Sequence, residues 1–253
     1  LVRPYVEKMT ESELFCLMSA GMATIAGSVM AAYIGILQPH FPQVAGHILS
    51  ASLMSAPAAV VIAKIMIPES ETPLTAGKIQ ITYEKKDVNF IDAAARGAID
   101  GVHLAIFVAA MLIAFIALVA MVNAFFGLFG TSFETILGWF FSPSAFLMGI
   151  PWKEAVQVGS LLGQKTVLNE FVAYLNLAKG LASGEIVLSG RSLTIATYAL
   201  CGFANFGSLG IMIAGIGGMA PSRRHDLARL GILSIISGSL AAFLTATIAG
   251  VLV

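Results

Sequence analysis

Apolar stretches long enough to cross a bilayer recur along this chain and are separated by short polar segments. Four of them contain no Asp, Glu, Lys or Arg: Leu14–Leu37, Leu104–Phe129, Leu193–Met219 and Leu230–Val253. Each exceeds the roughly 20 residues that a helix needs to span about 30 Å of hydrocarbon. A fifth, Ile48–Ile67, carries Lys64 near its end, where a long side chain can reach the headgroups. One such stretch is compatible with a soluble core, but the whole series predicts an all-α polytopic membrane protein.

Composition supports the membrane assignment and argues against other classes. Hydrophobic residues make up 58% of the chain and charged residues 11%, against roughly 25% charged residues in an ordinary soluble domain. The formal net charge is zero, so no nucleic acid partner is indicated. Cys16 and Cys201 lie in apolar stretches, which favours small buried side chains over a disulfide or a metal site. The chain opens Leu1-Val2-Arg3-Pro4 without a signal-peptide pattern, which predicts the carboxyl-terminal part of a longer protein.

Glycine, proline and charged positions divide the chain into segments with different expected roles. In order, these are an interrupted helix with a following span (1–67), a cytoplasmic or interfacial segment (68–97), a further span (98–129), an interfacial segment (130–151), a re-entrant hairpin (152–179) and a second interrupted helix with a final span (191–253). The hairpin is inferred from two short arms, about 152–162 and 166–179, around a glycine-containing tip. Non-helical backbone at membrane depth is tolerated where it is buried in protein or lines a cavity.

Two of the glycine-interrupted stretches resemble each other. Residues 21–28 read Gly-Met-Ala-Thr-Ile-Ala-Gly-Ser, and residues 202–208 read Gly-Phe-Ala-Asn-Phe-Gly-Ser. Glycine weakens a helix, and hydroxyl or amide groups can replace the backbone partners that are lost there. A pair of interrupted spans in corresponding halves is a sequence pointer to a midplane binding site. The similarity therefore predicts an inverted-repeat secondary transporter with two discontinuous helices.

Lysine and arginine are distributed unevenly between the segments that connect the spans. They concentrate in 64–97 and 221–229, whereas 38–47 has none and 180–192 has only Arg191. Positively charged connections tend to remain in the cytoplasm. The two basic segments are therefore expected to face the cytoplasm, which places the opening of the hairpin and the carboxyl terminus outside.

Glu170 is the strongest candidate for a functional residue. An ionisable side chain inside a membrane costs at least about 2.5–3.5 kcal/mol on insertion scales and usually has a function. It either accepts hydrogen bonds from a hydroxylated solute or pairs with Lys165 and serves only the hairpin. Asn205 and Ser208 share one helical face and would complete a polar rim suited to a ribose-like diol, or would join helices. Phe203 would form an apolar wall beside them or face lipid.

Thr24 and Ile25 raise the possibility of an ion site at the first interruption. A side-chain hydroxyl and a carbonyl freed by helix unwinding are the oxygen ligands that a small hard cation prefers. The ends of half-helices add a favourable dipole. Threonine in a membrane helix commonly bonds to its own backbone instead. No spacing in the chain matches a zinc site, a nucleophile elbow or a phosphate-binding loop.

The segment from Gly163 to Tyr174 carries a specific resemblance. It reads Gly-Gln-Lys-Thr-Val-Leu-Asn-Glu-Phe-Val-Ala-Tyr and satisfies every fixed position of G-x-K-x-x-x-N-E-F-V-A-[Y/M/F], the signature of the concentrative nucleoside transporter family. Residues 23–29, 52–57, 91–97 and 201–206 are also similar to that family. The resemblance implies a homotrimeric symporter of the inner or plasma membrane that imports nucleosides along a sodium gradient, with membrane lipids around it. It also implies that the span 98–129 belongs to a scaffold and that the interrupted helices of 1–67 and 191–253 belong to a mobile transport domain.

The resemblance also implies roles for particular residues. Glu170, on the hairpin, would bind the ribose hydroxyls. Asn205 and Ser208, on a discontinuous helix, would bind the ribose as well, with Phe203 beside them. Val29, on the other discontinuous helix, would contact the nucleobase.

For the coupling ion, the resemblance implies that the Thr24 side chain and the Ile25 carbonyl share a sodium ion. In the family this ion and the base also contact a first hairpin with a G-Q-[T/S]-E motif. That hairpin is expected to precede residue 1, so this chain would hold only part of the sodium site and of the base contacts.

Several alternatives remain open from the sequence. The coupling ion could be a proton, or the same fold could carry another polar solute. An intramembrane enzyme would use Glu170 as acid or base with Lys165, although no nucleophile or metal cluster accompanies them. A channel would give gradient-insensitive flux with little saturation. The preference for purine or pyrimidine nucleosides is left open.

Overall fold

The computed structural model describes residues 2–73, 76 and 88–253, and within these residues the secondary structure is helical, without strands. The α-helices are α1 (Arg3–Val6), α2 (Glu11–Ala23), α3 (Gly27–Leu37), α4 (Val44–Met66), α5 (Phe90–Gly127), α6 (Phe133–Leu147), α7 (Trp152–Val167), α8 (Glu170–Ser183), α9 (Gly190–Leu200), α10 (Phe206–Met219) and α11 (Arg224–Leu252). A 3-10 turn, Pro221–Arg223, precedes α11. The predicted all-α architecture is confirmed.

Three helical segments among the described residues are long and apolar enough to cross a membrane. They are Glu11–Leu37, which combines α2 and α3, then Val44–Met66 and Pro221–Leu252. The pair α6 and α7, bent by 118° between Leu147 and Trp152, could supply a fourth crossing or form a re-entrant loop. These elements define an integral membrane protein.

The first interrupted helix begins at a capping box and breaks where the sequence predicts. The Thr10 hydroxyl accepts from the Glu13 backbone N–H at 3.1 Å, and the Glu13 carboxylate accepts from the Thr10 N–H at 3.0 Å. This reciprocal pair satisfies two donors that a helix start would otherwise leave unpaired. After Ala23 the chain leaves the helical conformation at Thr24 and resumes it at Gly27.

The second interrupted helix breaks between Leu200 and Phe206, and its break touches the first one. Gly202 has φ +148, in a region that L side chains rarely adopt. A Cβ atom at this glycine would lie 2.8 Å from the carbonyl oxygen of Ala23, the last residue of α2. A glycine is therefore required for both reasons, conformation and close approach. The two discontinuous helices meet at their unwound segments, which places the polar residues of both breaks near one another.

The hairpin has helical arms, but its tip differs from the expectation. Helix α7 continues through Gly159 and Gly163 to Val167, so the break falls at residues 168 and 169 and the predicted glycine-containing tip is wrong. The glycines serve packing instead: a Cβ at Gly159 would lie 2.5 Å from the Gly138 carbonyl of α6, and one at Gly163 would overlap Leu137. Small residues let the backbones of α6 and α7 approach closely.

The arms α7 and α8 are antiparallel and pack side by side. The Asn176 amide, in the second turn of α8, donates to the Gln164 side-chain oxygen near the end of α7 at 2.7 Å. The arms have 16 and 14 residues, or about 24 and 21 Å at 1.5 Å per residue, and each is shorter than the hydrocarbon core of a bilayer. The two arms therefore form a helical hairpin, and neither arm alone has the length of a membrane span.

Helix α5 runs without a break for 38 residues. The end of the interfacial segment expected at 68–97 and the span expected at 98–129 are thus parts of one helix. Within the polar segment 68–97, residues 74, 75 and 77–87 lie outside the described residues. Helix α6 occupies most of the segment 130–151.

The packed interior lies around the hairpin and the second broken helix. Its main cluster joins α3, α4, α7, α8, α9 and α11 and contains fully buried residues from each, including Tyr33, Ile48, Leu161, Tyr174, Ile195 and Ala246. A second cluster, which includes Leu14, Phe15 and Leu227, packs α2 against α11. Burial of both arms of the hairpin against these helices fixes the position of its tip.

Candidate functional site

The hairpin tip presents Glu170 at the first position of α8. Asn169 caps this helix, because its side-chain oxygen accepts from the Val172 backbone N–H at 2.9 Å. The start of a helix carries partial positive charge and exposed N–H groups, which favour a carboxylate there. The Glu170 side chain is only 4% exposed. The local sequence Asn-Glu therefore stabilises a buried negative charge through the helix that follows it.

Two protein donors hold the Glu170 carboxylate. The Tyr33 hydroxyl donates to Oε1 at 2.6 Å, and the Asn205 amide donates to Oε2 at 2.9 Å. Tyr33 belongs to α3 and Asn205 precedes α10, so both broken helices contact the hairpin through this one side chain. Hydrogen bonds to a charged group are about twice as strong as neutral ones. The carboxylate is thus held in one orientation between three elements.

Asn205 uses both ends of its amide group. Its oxygen caps α10 by accepting from the Ser208 backbone N–H at 2.7 Å, while its nitrogen donates to Glu170. The side chain is completely buried. The hydroxyl of Ser208 is separate from this cap, which uses only the backbone of that residue. The cap therefore aims the amide donor at the hairpin.

Tyr33 is a site residue that sequence reasoning missed. It is fully buried and stacks on Tyr174, with ring centroids 4.6 Å apart. The Tyr174 hydroxyl in turn donates to the Thr197 carbonyl of α9 at 2.7 Å. Tyr33 lies four residues after Val29, so the two share a face of α3. That spacing, with a polar hydroxyl in an apolar helix, was the only sequence signal for its role.

Lys165 does not pair with Glu170. Its ammonium group, 1% exposed, donates to the carbonyl oxygen of Ala199 at 2.9 Å. Ala199 lies in the last turn of α9, where carbonyls lack helical partners and cations are favoured. Among the ion pairs of the described residues, none joins Lys165 to Glu170. The structure therefore does not support the alternative in which Glu170 serves only as the counter-ion of Lys165.

A cavity of about 670 Å³ opens beside the Glu170 carboxylate. All five residues expected to contact the solute line it: Val29, Glu170, Phe203, Asn205 and Ser208. Tyr33, Leu168, Asn169, Phe171 and Gly207 also line it, and the rest of the wall is supplied by Gly21, Met22, Ala26, Ser28, Ala32, Ile211 and Met212. The polar groups therefore converge at one region of a largely apolar enclosure, which is the usual form of a small-molecule site.

The residues expected to bind an ion lie beside this cavity and do not line it. Thr24 and Ile25 form the unwound segment after α2, and the Thr24 hydroxyl donates to the Ala20 carbonyl at 2.8 Å. That bond uses the hydroxyl proton of Thr24 and leaves the lone pairs of its oxygen free to accept a hydrogen bond or to coordinate a cation. In the described part of the chain no backbone N–H donates to the Ile25 carbonyl. Two oxygens at this break are thus available to a cation.

Together, an all-helical membrane fold, two broken helices that meet, and a cavity with polar groups at their junction define the architecture of interrupted-helix secondary transporters. Residues 47–250 match the family model described as "Na+ dependent nucleoside transporter C-terminus". The chain belongs to this family, and the resemblance carried by the segment 163–174 is confirmed. The family consists of transporters, so the intramembrane enzyme is excluded as an interpretation.

Relatives along the full length of the chain support this assignment. The chain is 45% identical over 261 residues to "Uncharacterized transporter YutK" of Bacillus subtilis, covering 100% of this chain and 62% of that protein. It is 45% identical over 271 residues to "Solute carrier family 28 member 3" of Mus musculus, covering 100% of this chain and 38% of that protein. It is 38% identical over 263 residues to "Nucleoside permease NupC" of Helicobacter pylori, again covering 100% of this chain and 60% of that protein. The chain therefore spans less than two thirds of the length of each of these relatives.

Solved structures share the fold. "Structure of CNTnw in an inward-facing substrate-bound state" matches with a TM-score of 0.87 and 46% identity, over 98% of this chain and 59% of that one. A structure of a doubly substituted CNTnw in an outward-facing state matches with a TM-score of 0.88 and 44% identity, over 99% of this chain and 60% of that one. The arrangement of hairpin and broken helices is thus the fold of these transporter structures.

Proposed function

We propose that this chain forms the solute-holding part of a symporter that imports nucleosides across the plasma membrane, driven by a sodium gradient and assembled as a homotrimer. The observation that carries the proposal is the Glu170 carboxylate, buried at the wall of the 670 Å³ cavity between the two broken helices. Membership in a family named for sodium-dependent nucleoside transport supports both the solute and the ion. A carboxylate is an acceptor only, which suits a solute that presents hydroxyl donors.

The chemistry of the cavity favours a solute with one polar and one apolar part. Glu170, Asn205 and Ser208 supply acceptors and donors at one region, where ribose hydroxyls would bind. Val29 and Phe203, with the apolar residues Ile211 and Met212, supply surfaces suited to the faces of a nucleobase. A volume of about 670 Å³ lies within the range of roughly 300–1,000 Å³ typical of small-molecule sites. Purine and pyrimidine nucleosides both fit this description.

Sodium would bind at the first interruption, on the Thr24 hydroxyl and the Ile25 carbonyl, with further ligands from the solute side or from other parts of the protein. Neutral oxygen ligands suit a small hard cation. Helix α2 ends at this point, so the negative end of its dipole faces the ion. Binding there would hold the two breaks in register, because the backbone of Ala23 contacts Gly202 directly. Sodium would in this way organise the nucleoside site.

Transport then follows from the cost of an uncompensated charge. A buried carboxylate that lacks some of its hydrogen bonds is unfavourable in a low-dielectric interior. Ribose hydroxyls would complete the set of donors around Glu170, so the loaded state would cross the membrane more readily than the empty one. Movement of the hairpin and broken helices as a unit against the remaining helices would expose the cavity to each side in turn.

The test is uptake of radiolabelled uridine by the protein at its full natural length, in proteoliposomes with and without an inward sodium gradient. The expected result is saturable uptake that depends on sodium and is reduced by Glu170→Gln. The amide replaces one acceptor with a donor, and loss of a hydrogen bond to a charged group costs about 1.5–3 kcal/mol, or roughly a 10–100-fold rise in half-saturating uridine. Unchanged uptake kinetics in this variant would contradict the proposal.

Glu154→Gln is the matched control. Glu154 is a second buried glutamate of the hairpin, 8% exposed, which accepts from the backbone and hydroxyl of Ser189 and lies away from the cavity. Its substitution should leave half-saturating uridine unchanged. Uridine uptake that depends on a proton gradient and does not change with sodium would favour proton coupling. Saturable uptake of a different polar solute, with none of uridine, would favour the alternative solute.

A further inference from the structure

The Glu170 carboxylate has donors of its own on both oxygens. Oε1 accepts from the Tyr33 hydroxyl at 2.6 Å, and Oε2 accepts from the Asn205 amide at 2.9 Å. A carboxylate offers about four lone-pair sites, two on each oxygen. The two side chains therefore occupy one site on each oxygen. The backbone N–H of Glu170 itself also bonds to the carboxylate, and the lone-pair sites that remain can accept from a ligand in the cavity that Glu170 lines.

We propose that Tyr33 is a positioning residue that fixes the plane of the Glu170 carboxylate, so that its two oxygens accept separately from the two adjacent hydroxyls of the sugar. This inference rests on the proposed function, because it assumes a solute with a vicinal diol. Two neighbouring hydroxyls match two oxygens of one carboxylate only when the carboxylate is turned toward them. Asn205 fixes one oxygen, and Tyr33 fixes the other.

The surroundings of Tyr33 suit this role because they hold the ring still. The side chain is fully buried, stacks on Tyr174 at 4.6 Å and lies 6.2 Å from the Phe171 ring. Tyr174 is also fully buried, so packing holds the ring on which Tyr33 stacks. A donor on a fixed ring holds its acceptor in place more firmly than a flexible one, since fewer rotamers are lost when the bond forms.

Tyr33→Phe separates this role from packing. The phenyl ring keeps the stacking and the volume, and only the hydroxyl that donates to Oε1 is lost. Oε1 then turns away from the solute, while Oε2 stays on Asn205. The sugar hydroxyl that Oε1 would accept loses its bond, and the other hydroxyl keeps its own. The variant should thus weaken recognition of one hydroxyl out of two.

The experiment compares uridine, 2′-deoxyuridine and 3′-deoxyuridine in sodium-driven uptake by the full-length natural protein and by Tyr33→Phe. Half-saturating uridine should rise about tenfold in the variant, the usual effect of one lost hydrogen bond to a charged group. One monodeoxy analogue should show the same rise. The analogue that lacks the hydroxyl accepted by Oε1 should change by less than about twofold, because it had no bond to lose.

Tyr174→Phe is the matched control, since it also removes one buried tyrosine hydroxyl but touches Thr197 and not the carboxylate. It should change the three half-saturating concentrations by a common factor or not at all. An equal rise for all three nucleosides in Tyr33→Phe, or no change for any, would overturn the positioning role. The same analogue-specific pattern in Tyr174→Phe would overturn it as well.

Asn205→Ser is the second variant, and it tests whether the two oxygens accept from different hydroxyls even if Tyr33→Phe fails to fold. Serine retains the helix cap but removes the amide donor to Oε2. For Asn205→Ser, the analogue whose half-saturating concentration stays unchanged should be the one that lacks the hydroxyl accepted by Oε2. This is the monodeoxy nucleoside that is sensitive to Tyr33→Phe. A uniform rise for all three would again contradict the inference. If the unmodified protein takes up none of the three nucleosides, the proposed function itself fails, and this result is distinct from uptake that lacks the analogue pattern.

Discussion

The ammonium group of Lys165 lies 2.9 Å from the carbonyl oxygen of Ala199 and bonds the hairpin to the end of α9. Because the lysine is engaged there, the carboxylate of Glu170 is left to Tyr33 and Asn205. The two charged residues of the segment 163–174 thus act on different elements. The lysine supports the broken helix, and the glutamate faces the cavity.

Substitution of Lys165 should therefore affect stability first. Lys165→Met keeps most of the volume but leaves the buried Ala199 carbonyl without its donor, which costs about 1–3 kcal/mol. We expect a lower midpoint of thermal unfolding in detergent, followed by fluorescence or by size-exclusion chromatography after heating. Lys153→Met, at an exposed lysine of the same helix, should change stability by no more than about 0.5 kcal/mol. Equal stability of the two variants would contradict the capping role.

Gly202→Ala should destabilise the junction of the two broken helices. The residue has φ +148, and an added Cβ would lie 2.8 Å from the Ala23 carbonyl oxygen. Strain of this kind costs on the order of 1–3 kcal/mol, and the clash adds to it. Gly210→Ala has open space around the new methyl group in α10 and should stabilise by about 0.5–1 kcal/mol. Opposite signs for the two variants in thermal unfolding are the expected result, and a shared sign would refute it.

Ser208→Ala should weaken nucleoside binding without loosening α10. The cap of this helix uses the backbone N–H of Ser208, and the Asn205 oxygen is its acceptor. The hydroxyl, which belongs to a residue lining the cavity, is free of that role. Loss of one neutral hydrogen bond costs about 0.5–1.5 kcal/mol, or roughly a 2–10-fold rise in half-saturating uridine. Ser208→Thr restores a hydroxyl and should recover most of the affinity; failure of this rescue would count against a contact with the solute.

Thr24→Val should alter the dependence of uptake on sodium. It removes a candidate ligand oxygen together with the bond to the Ala20 carbonyl. We expect a several-fold rise in the sodium concentration that gives half-maximal uridine uptake. Thr247→Val is the control, because its hydroxyl makes the same kind of bond, to the Phe243 carbonyl at 2.8 Å in α11. A sodium dependence that is the same in both variants would remove Thr24 from the ion site.

Sequence reasoning predicted the features that depend on nearby residues. The interruptions at Thr24 and Gly202 both follow from local preferences. Side chains bond to backbone groups two or three residues away, and glycine weakens whichever helix contains it. These effects require no knowledge of the rest of the fold.

The predicted position of the hairpin tip is wrong because it depends on contacts with a distant part of the chain. The sequence pattern predicts a hairpin tip at the glycine between residues 162 and 166, but Gly163 lies inside α7 and, like Gly159, meets α6 closely. The intrinsic cost of glycine in a helix is about 1 kcal/mol, and close packing against a neighbour outweighs it. Whether a glycine breaks a helix or lets another approach depends on a partner that the local sequence does not identify.

The sequence by itself determined the class of the protein, the two interrupted helices and the buried glutamate, because hydrophobic length, glycine and charge act over one or a few turns. Only the tertiary structure decided which groups meet that glutamate. Tyr33 and Glu170 are 137 residues apart, and their contact at 2.6 Å exists because α3 packs on α8. Such pairs depend on the folding of several helices around one core, and no spacing along the chain encodes them.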